Sequence, residues 1–298
     1  MSDLVPSSSD DRNPVRQAAG VVVGIGTRIK KNLVGLRQKY RSRYKHKSID
    51  PGHWTAPNLI ALSLFCALAS LLFLDSNVRV ITSQLPSDVW AFFDYMTQFG
   101  KSDWILIPTG VLGLIGLLIN WQALDPRPRY YLGRVFADVG LIFSTVAIAG
   151  LAVLGLKILI GRARPKHLEE LGALDFSFFT FQAGYPSFPS GHSGTAAALA
   201  IALACIIPKW RWTILVLGFW LGVSRVVVGA HYPSDVIGGL LIGGGVSWVV
   251  CKIFARRRWA IRVTKKGHIA PKRWYGAYAE TLRISLGFIS RKLGALRR

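Results

Sequence analysis

The chain has 298 residues, 51% of them hydrophobic, and a formal net charge of +22. A soluble protein this basic would point to nucleic acid. Here, however, the basic residues fill both ends and apolar runs fill the middle, so a nucleic-acid partner is excluded and an integral membrane protein is indicated, with the charge serving topology and contact with anionic lipid. The three cysteines, Cys66, Cys205 and Cys251, all fall inside apolar runs and read as small core residues, not as a disulfide framework or a metal site.

Residues 1–55 read as a basic cytoplasmic extension, partly disordered. Its first part, to about Pro14, is polar and includes Ser7, Ser8, Ser9, Asp10 and Asp11. The run Ala18 to Gly26 is apolar but short and rich in glycine and valine, so it fits neither a cleavable signal nor a span. The first true span is expected to act as the uncleaved signal.

Residues 56–255 form the membrane domain. Apolar runs near Asn58–Leu74, Trp104–Ile119, Val135–Leu156, Gly194–Ile207, Trp212–Gly229 and Val236–Ala255 approach the roughly 20 residues a spanning helix needs. The fourth is the shortest and could begin a little earlier. None alternates with period 2, so the fold class is an all-α membrane protein with six transmembrane helices.

Basic residues orient the spans. Arg37, Lys39, Arg41, Arg43, Lys45 and Lys47 precede span one, and Arg127, Arg129 and Arg134 follow span two. Lys209 and Arg211 follow span four, and Arg256, Arg257 and Arg258 follow span six. With six spans all four groups share one side, which is the cytoplasm. On the opposite side, Lys157, Arg162, Arg164 and Lys166 run against that rule and need another reason to exist.

Residues 256–298 read as a basic cytoplasmic tail. Tyr278, Leu282, Leu286, Ile289, Leu293 and Leu296 recur at helical spacing, with Arg283, Arg291 and Lys292 between them. An amphipathic helix in the inner-leaflet interface and a solvated basic tail are equally open readings.

Three clusters carry the chemistry, and the topology puts all three at the outer ends of spans three to six. They are Lys157 to Arg164-Pro165, then Pro189-Ser190-Gly191-His192, then Ser224-Arg225 leading to His231 and Asp235. A phosphoryl group in transfer spreads negative charge over its oxygens, which preorganised cations stabilise. Lys157, Arg164 and Arg225 can supply that charge, and Ser190 with the N–H groups at Gly191 and His192 can add donors at a helix start. Snorkelling at a span end is the ordinary explanation of Lys157 or Arg164 taken singly. His231 and Asp235 are four apart across Tyr232-Pro233, so the carboxylate can fix the tautomer of a nucleophilic imidazole. His192 suits a general acid.

Together these residues resemble the tripartite signature of the type-2 phosphatidic acid phosphatase superfamily. Its membrane members are six-span lipid phosphatases, bacterial undecaprenyl pyrophosphate and phosphatidylglycerophosphate phosphatases among them, and its soluble relatives include vanadium haloperoxidases. Every signature position is matched, over about Ala56 to Ala255. The resemblance implies that His231 forms a phosphohistidine, Asp235 orients it, and His192 protonates the leaving group and then activates water. It implies that Lys157, Arg164, Ser190, Gly191 and Arg225 cradle the phosphate. No metal or cofactor is expected.

Other features carry less weight. Phe176, Phe178, Phe179, Phe181 and Tyr185 read equally as a guide for a lipid tail and as an interfacial aromatic belt. Arg134 and Asp138 read as a structural pair. Gly239, Gly243, Gly244 and Gly245, with Ala196, Ala197 and Ala198, read as close helix packing. The expected activity is hydrolysis of a phosphomonoester or pyrophosphate on a lipid such as phosphatidate, phosphatidylglycerophosphate, undecaprenyl pyrophosphate or lipid A. The alternatives are a lipid phosphotransferase using the same site and a non-catalytic transporter or scaffold. The expected location is a bacterial cytoplasmic membrane, with the termini cytoplasmic and the site facing outward; an internal eukaryotic membrane is the alternative.

Overall fold

The computed structural model describes residues 14–42, 56–182, 184–264 and 267–272, and within them the chain is mostly helical. In order, the helices are α1 (Pro14–Ser42), α2 (Ala56–Phe73), α3 (Val78–Ser83), α4 (Ser87–Thr97), α5 (Asp103–Leu118), α6 (Pro126–Ile160), α7 (Leu168–Leu171), α8 (Gly191–Ile206), α9 (Arg211–Val227) and α10 (Pro233–Arg256). A short antiparallel hairpin of β1 (Ile261–Val263) and β2 (Ile269–Pro271) follows.

The apolar runs coincide with α2, α5, α6, α8, α9 and α10, and the differences have physical causes. Helix α6 starts nine residues before its apolar run, because Pro126 at its first turn costs no hydrogen bond and its φ is already helical. Arg127, Arg129 and Arg134 therefore lie on the helix, not in a loop. The run Ala18 to Gly26 sits inside the single helix α1. Helix α4 and the hairpin carry too few residues for a periodic signal to show. The polar start of the chain, the basic residues 43–47 and the tail helix expected at 277–296 lie outside the described residues.

Three helical segments, Ser87–Leu118 taken through α4 and α5, Pro126–Ile160 and Pro233–Arg256, are long and apolar enough to cross a membrane by length and composition. Leu64–Phe73 and Gly191–Ile206 are shorter apolar helices. Large side chains such as Leu151, Ile107 and Phe65 point outward with about two thirds of their surface exposed. Acyl chains, not water, suit such a surface.

Helix α8 is the centre of the bundle, flanked by α6, α9 and α10. Alanines and glycines make this possible. The Cα atoms of Gly239 and Gly243 face α8 so closely that a Cβ would stand 2.4 Å from the Ser190 oxygen and 2.2 Å from the Gly194 oxygen. Gly218 meets Ala200 in the same way from α9. Gly244 and Gly245 do not share that role, since a Cβ there meets ordinary or open space. One apolar cluster joins Ile105, Val146, Ala149 and Ala198 across α5, α6 and α8. A second, of Leu141, Cys205, Val250, Cys251, Ala255 and Ile261, ties α6, α8 and α10 to the hairpin. Near it, Arg134 pairs with Asp138 at 3.3 Å and donates to the Trp259 carbonyl at 3.1 Å.

The opposite end of the bundle is where the loops after α6 and α9 meet the starts of α8 and α10. The Ser190 N–H donates to the Asp235 carbonyl at 2.9 Å, and Lys157 Nζ donates to the Pro186 carbonyl at 2.9 Å. Four helices of alternating direction thus deliver their signature residues to one place. Gly243→Ala should lower the unfolding midpoint in detergent, by an amount equivalent to about 1–3 kcal/mol, because backbone must move aside. Gly245→Ala should leave it unchanged or slightly raised, and equal melting of the two variants would contradict this packing account.

Candidate active site

Helix α6 ends at Gly161, whose φ of +57° is the left-handed conformation that glycine tolerates. A Cβ there would lie 1.8 Å from the Ser177 oxygen, so the turn admits no other residue without rearrangement. The chain then runs extended through Arg162 and is held on two sides. Ala163 N–H donates to Asp175 and Ser177 N–H to Gly161 on one side, and Ser187 N–H donates to the Arg162 carbonyl on the other.

The Arg162 side chain is 1% exposed. Its Nε–H and one N–H of its Nη2 donate to the Ala173 carbonyl, at 3.0 and 2.8 Å. Nη2 also donates to Asp75 Oδ2 at 2.8 Å, and Nη1 donates to Ser234 Oγ at 2.6 Å and to Asp235 Oδ1 at 2.9 Å. These five contacts use all five N–H donors of a guanidinium. Its flat face also lies 4.1 Å from the centre of the Tyr232 ring.

Asp235 is fully buried at the first turn of α10. Its Oδ1 takes Arg162, while its Oδ2 accepts the Tyr232 N–H at 2.9 Å and the Ser187 hydroxyl. His231 Nδ1 stands 3.4 Å from the same Oδ2 and 3.2 Å from Ser187 Oγ. Ser187 gives its proton to the carboxylate and so can accept from Nδ1–H. That arrangement fixes the tautomer and leaves Nε2 without a proton. The backbone N–H of His231 donates to the Arg225 carbonyl at 3.2 Å, which seats the loop. Burial pushes the His231 ring from 6.5 down to about 4, against the pull of Asp235, with Lys157 and Arg164 pushing the same way as burial. The ring is therefore a neutral base through the neutral range.

The expected cradle residues surround this ring. Lys157 has Arg164, Asp235 and Arg225 as its charged neighbours, and His192 has Arg225, His231, Lys101 and Lys157. Arg225 Nη1 donates to Thr97 Oγ1 at 2.9 Å, anchoring the cation to α4. The Nε–H groups of Arg164 and Arg225 are buried without a partner. Open buried donors of this kind cost free energy unless an anion fills them. Ser190 caps α8: its Oγ accepts the Ser193 N–H at 3.4 Å and the Ser193 hydroxyl at 2.8 Å. Its own hydroxyl proton is left to give. A Cβ on Gly191 would meet nothing within 4 Å, so the space above the α8 N-terminus is open to a ligand. His192 packs on Gly100, where a Cβ would come within 3.1 Å of its ring.

All eight signature residues, Lys157, Arg164, Ser190, Gly191, His192, Arg225, His231 and Asp235, are thus brought together. Sequence reasoning missed Arg162, Asp75, Ser187 and Thr97. The signal for Arg162 was present as a basic residue on the side where the charge rule disfavours one; the other three carry no local pattern. At the rim, Phe178, Phe179 and Phe181 are 66–79% exposed, and the Tyr185 hydroxyl donates to Asp175, which raises the phenol above its usual value. Exposure suits both readings of the aromatic stretch. Among the described residues no three His, Cys, Asp or Glu side chains gather as a metal-binding group.

The family model that matches is that of the PAP2 superfamily, over residues 138–259. A lipid A 1-phosphatase of Rhizobium etli is 35% identical over 230 residues, spanning 76% of this chain and 96% of that protein. A lipid A 1-phosphatase of Rhizobium johnstonii is 33% identical over 79% of this chain and 95% of its own length. Among solved structures, a transmembrane PAP2 type phosphatidylglycerolphosphate phosphatase from Bacillus subtilis is 22% identical, covers 64% of this chain and 92% of its own, and superposes with a TM-score of 0.46.

A ring held at about 4 when folded and 6.5 when free makes the unfolded chain the better proton acceptor between those values. Its contribution to stability is present in full above pH 6.5 and is lost as the pH falls toward 4. The detergent unfolding midpoint should therefore fall more steeply across that window in the wild type than in His231→Asn. Parallel curves would contradict the buried neutral ring.

Proposed function

Because the chain belongs to the PAP2 superfamily, and so is an integral membrane enzyme that hydrolyses phosphoric esters, we propose that it removes a phosphomonoester from a lipid A-type glycolipid through a phosphohistidine at His231. One observation carries the chemistry. A neutral imidazole, oriented through Nδ1, shares its site with two guanidinium groups whose buried Nε–H donors stand open. The near-full-length likeness to lipid A 1-phosphatases supports the choice of lipid.

In the first step the Nε2 lone pair of His231 forms the N–P bond. The P–O bond to the lipid breaks, and the leaving oxygen takes a proton from His192. The ring keeps its Nδ1 proton and becomes cationic. In the second step a water oxygen attacks phosphorus, the N–P electrons return to Nε2, and His192 takes the water's proton. Lys157, Arg164 and Arg225, with the Ser190 hydroxyl and the Gly191 and His192 N–H groups, hold the phosphoryl oxygens through both steps. Preorganised donors of this type contribute on the order of 10²–10³ in rate each. A lipid phosphotransferase would share the first step and send the phosphoryl group to a second lipid in place of water.

In this reading α2, α5, α6, α8, α9 and α10 are the six spans, and the signature end faces outward across a bacterial cytoplasmic membrane. The boundaries near residues 55 and 255 divide the spans from the basic extensions. Helix α1 carries Arg28, Lys30, Lys31 and Arg37 beside exposed Val22, Leu33 and Leu36. Asn32 fastens it to the C-terminal carbonyls of α5, donating to Leu117 at 2.8 Å and Ile119 at 3.1 Å. Such a helix suits the inner-leaflet interface, with its cations on anionic headgroups.

Phosphate release from lipid A, phosphatidate, phosphatidylglycerophosphate and undecaprenyl pyrophosphate, measured in detergent with chelator throughout, tests the function. Wild-type release that disappears in His231→Ala, greatest with lipid A, is the expected result. Label passed to a second lipid would mean transfer, and release undiminished in the variant would overturn the nucleophile. For α1, glutamine at positions 28, 30, 31 and 37 should reduce the anionic lipid bound in mixed micelles; unchanged binding would count against an interfacial role.

A further inference from the structure

We propose that Asp75 and Arg162 are positioning residues for phosphoryl transfer, the buried chain Asp75–Arg162–Asp235 carrying a net charge of −1 next to the His231 ring. The proposal rests on the reading of His231 as the nucleophile and goes beyond it, because the signature contains neither Asp75 nor Arg162.

The geometry distinguishes this chain from an ordinary structural staple in two ways. First, Arg162 reaches the ring by two routes. Its side chain binds Asp235 Oδ1, and its backbone carbonyl accepts the Ser187 N–H at 2.6 Å, setting the hydroxyl that bridges His231 Nδ1 and Asp235 Oδ2. One residue thus places both groups that the ring touches through Nδ1.

Second, the charges do not cancel. Arg162 with Asp235 alone would be neutral, and the ring would meet a carboxylate whose field is largely annulled. Asp75 lies on the other side of the guanidinium, with Oδ2 2.8 Å from Nη2, and is itself held by Ser234 through its N–H at 3.0 Å and its hydroxyl. Asp75 and Asp235 are 0% exposed and Arg162 is 1% exposed, so little solvent screens the trio. Two carboxylates and one guanidinium leave a net charge of −1 next to a neutral imidazole.

When the N–P bond forms the ring gains a positive charge, and ring plus trio become neutral. Lys157 on α6 and Arg164 after it disfavour that charge, and Arg225 on α9 neighbours both Lys157 and His192 on α8, which is itself next to the ring. Asp235 on α10 is the carboxylate in contact with the ring. The second carboxylate is what lets it act as an anion although Arg162 is bound to it.

Asp75→Asn keeps one oxygen that can accept from Arg162, removes the charge, and turns the acceptor of the Ser234 N–H into a donor. Turnover per folded molecule should fall about 10-fold or more while KM stays within about 2-fold, because the loss falls on the transition state and not on substrate binding. The acid limb of kcat/KM should also move to lower pH by about one unit, the tenfold equivalent for a ring less able to carry charge. Arg162→Lys keeps the charge but cannot bind both carboxylates in a fork, and should show the same kcat loss with a smaller shift of the limb. Unfolding midpoints and the fraction folded are measured on both variants, and each is assayed below its own midpoint, so that the readouts refer to folded protein. Folded Asp75→Asn with wild-type kcat and an unmoved acid limb would overturn the proposal. If that variant does not fold, folded Arg162→Lys with wild-type kcat overturns the proposal, and failure of both to fold overturns it in favour of a purely structural staple. Activity surviving in His231→Ala would instead overturn the nucleophile itself, a different result from either.

Discussion

A guanidinium with every donor taken, enclosed by two carboxylates and cut off from water, is the constraint around which this end of the molecule is built. Such a group cannot be half satisfied: losing one partner leaves a buried charge uncompensated, which is strongly destabilising. Arg162 thereby locks three distant pieces of chain, the turn after α2, the extended run after α6 and the start of α10, into one arrangement. The bond network has a particular value in lipid. Apolar contact there gives little net drive for helices to associate, because acyl chains offer the same contact. Polar bonds at one end and glycine-mediated close approach along α8 and α10 supply what the hydrophobic effect supplies in water.

Donor accounting separates the arginines of the site without any appeal to the signature. Arg162 is saturated and has no donor left for a ligand. Arg164 and Arg225 are half-buried at the same end of the bundle, yet each keeps a buried Nε–H with no acceptor. A folded chain tolerates that cost where a ligand removes it. The same accounting applies to α8, whose cap Ser190 is used from below while the space over Gly191 is left clear.

Much of this was readable from the residues alone. The apolar runs matched α2, α5, α6, α8, α9 and α10 because length and composition set a lipid-facing helix more strongly than tertiary packing does. The eight signature residues converged because each sits at the end of such a helix, where alternating direction dictates which ends meet. What was not readable involves partners remote in sequence. Asp75 lies 87 residues from Arg162, and Ser187 lies 44 residues from His231; no local pattern announces either. Helix α4 and the hairpin after α10 were missed for a different reason, being too short for periodicity to rise above chance. Of the glycine stripe, only Gly239 and Gly243 face another backbone, a distinction that depends on helix rotation and not on composition.

The enclosure of Asp235 also limits how protons can travel. With Oδ1 bound by Arg162, Oδ2 by Ser187 and Tyr232 beside His231, and no exposed surface, the carboxylate is committed to the fold. It can hold charge but cannot ferry hydrogen. In the proposed cycle this leaves His192 as the sole carrier, its one proton lent to the departing lipid and recovered from water. The enzyme would then end each turnover in the protonation state in which it began, without exchanging a proton with bulk solvent.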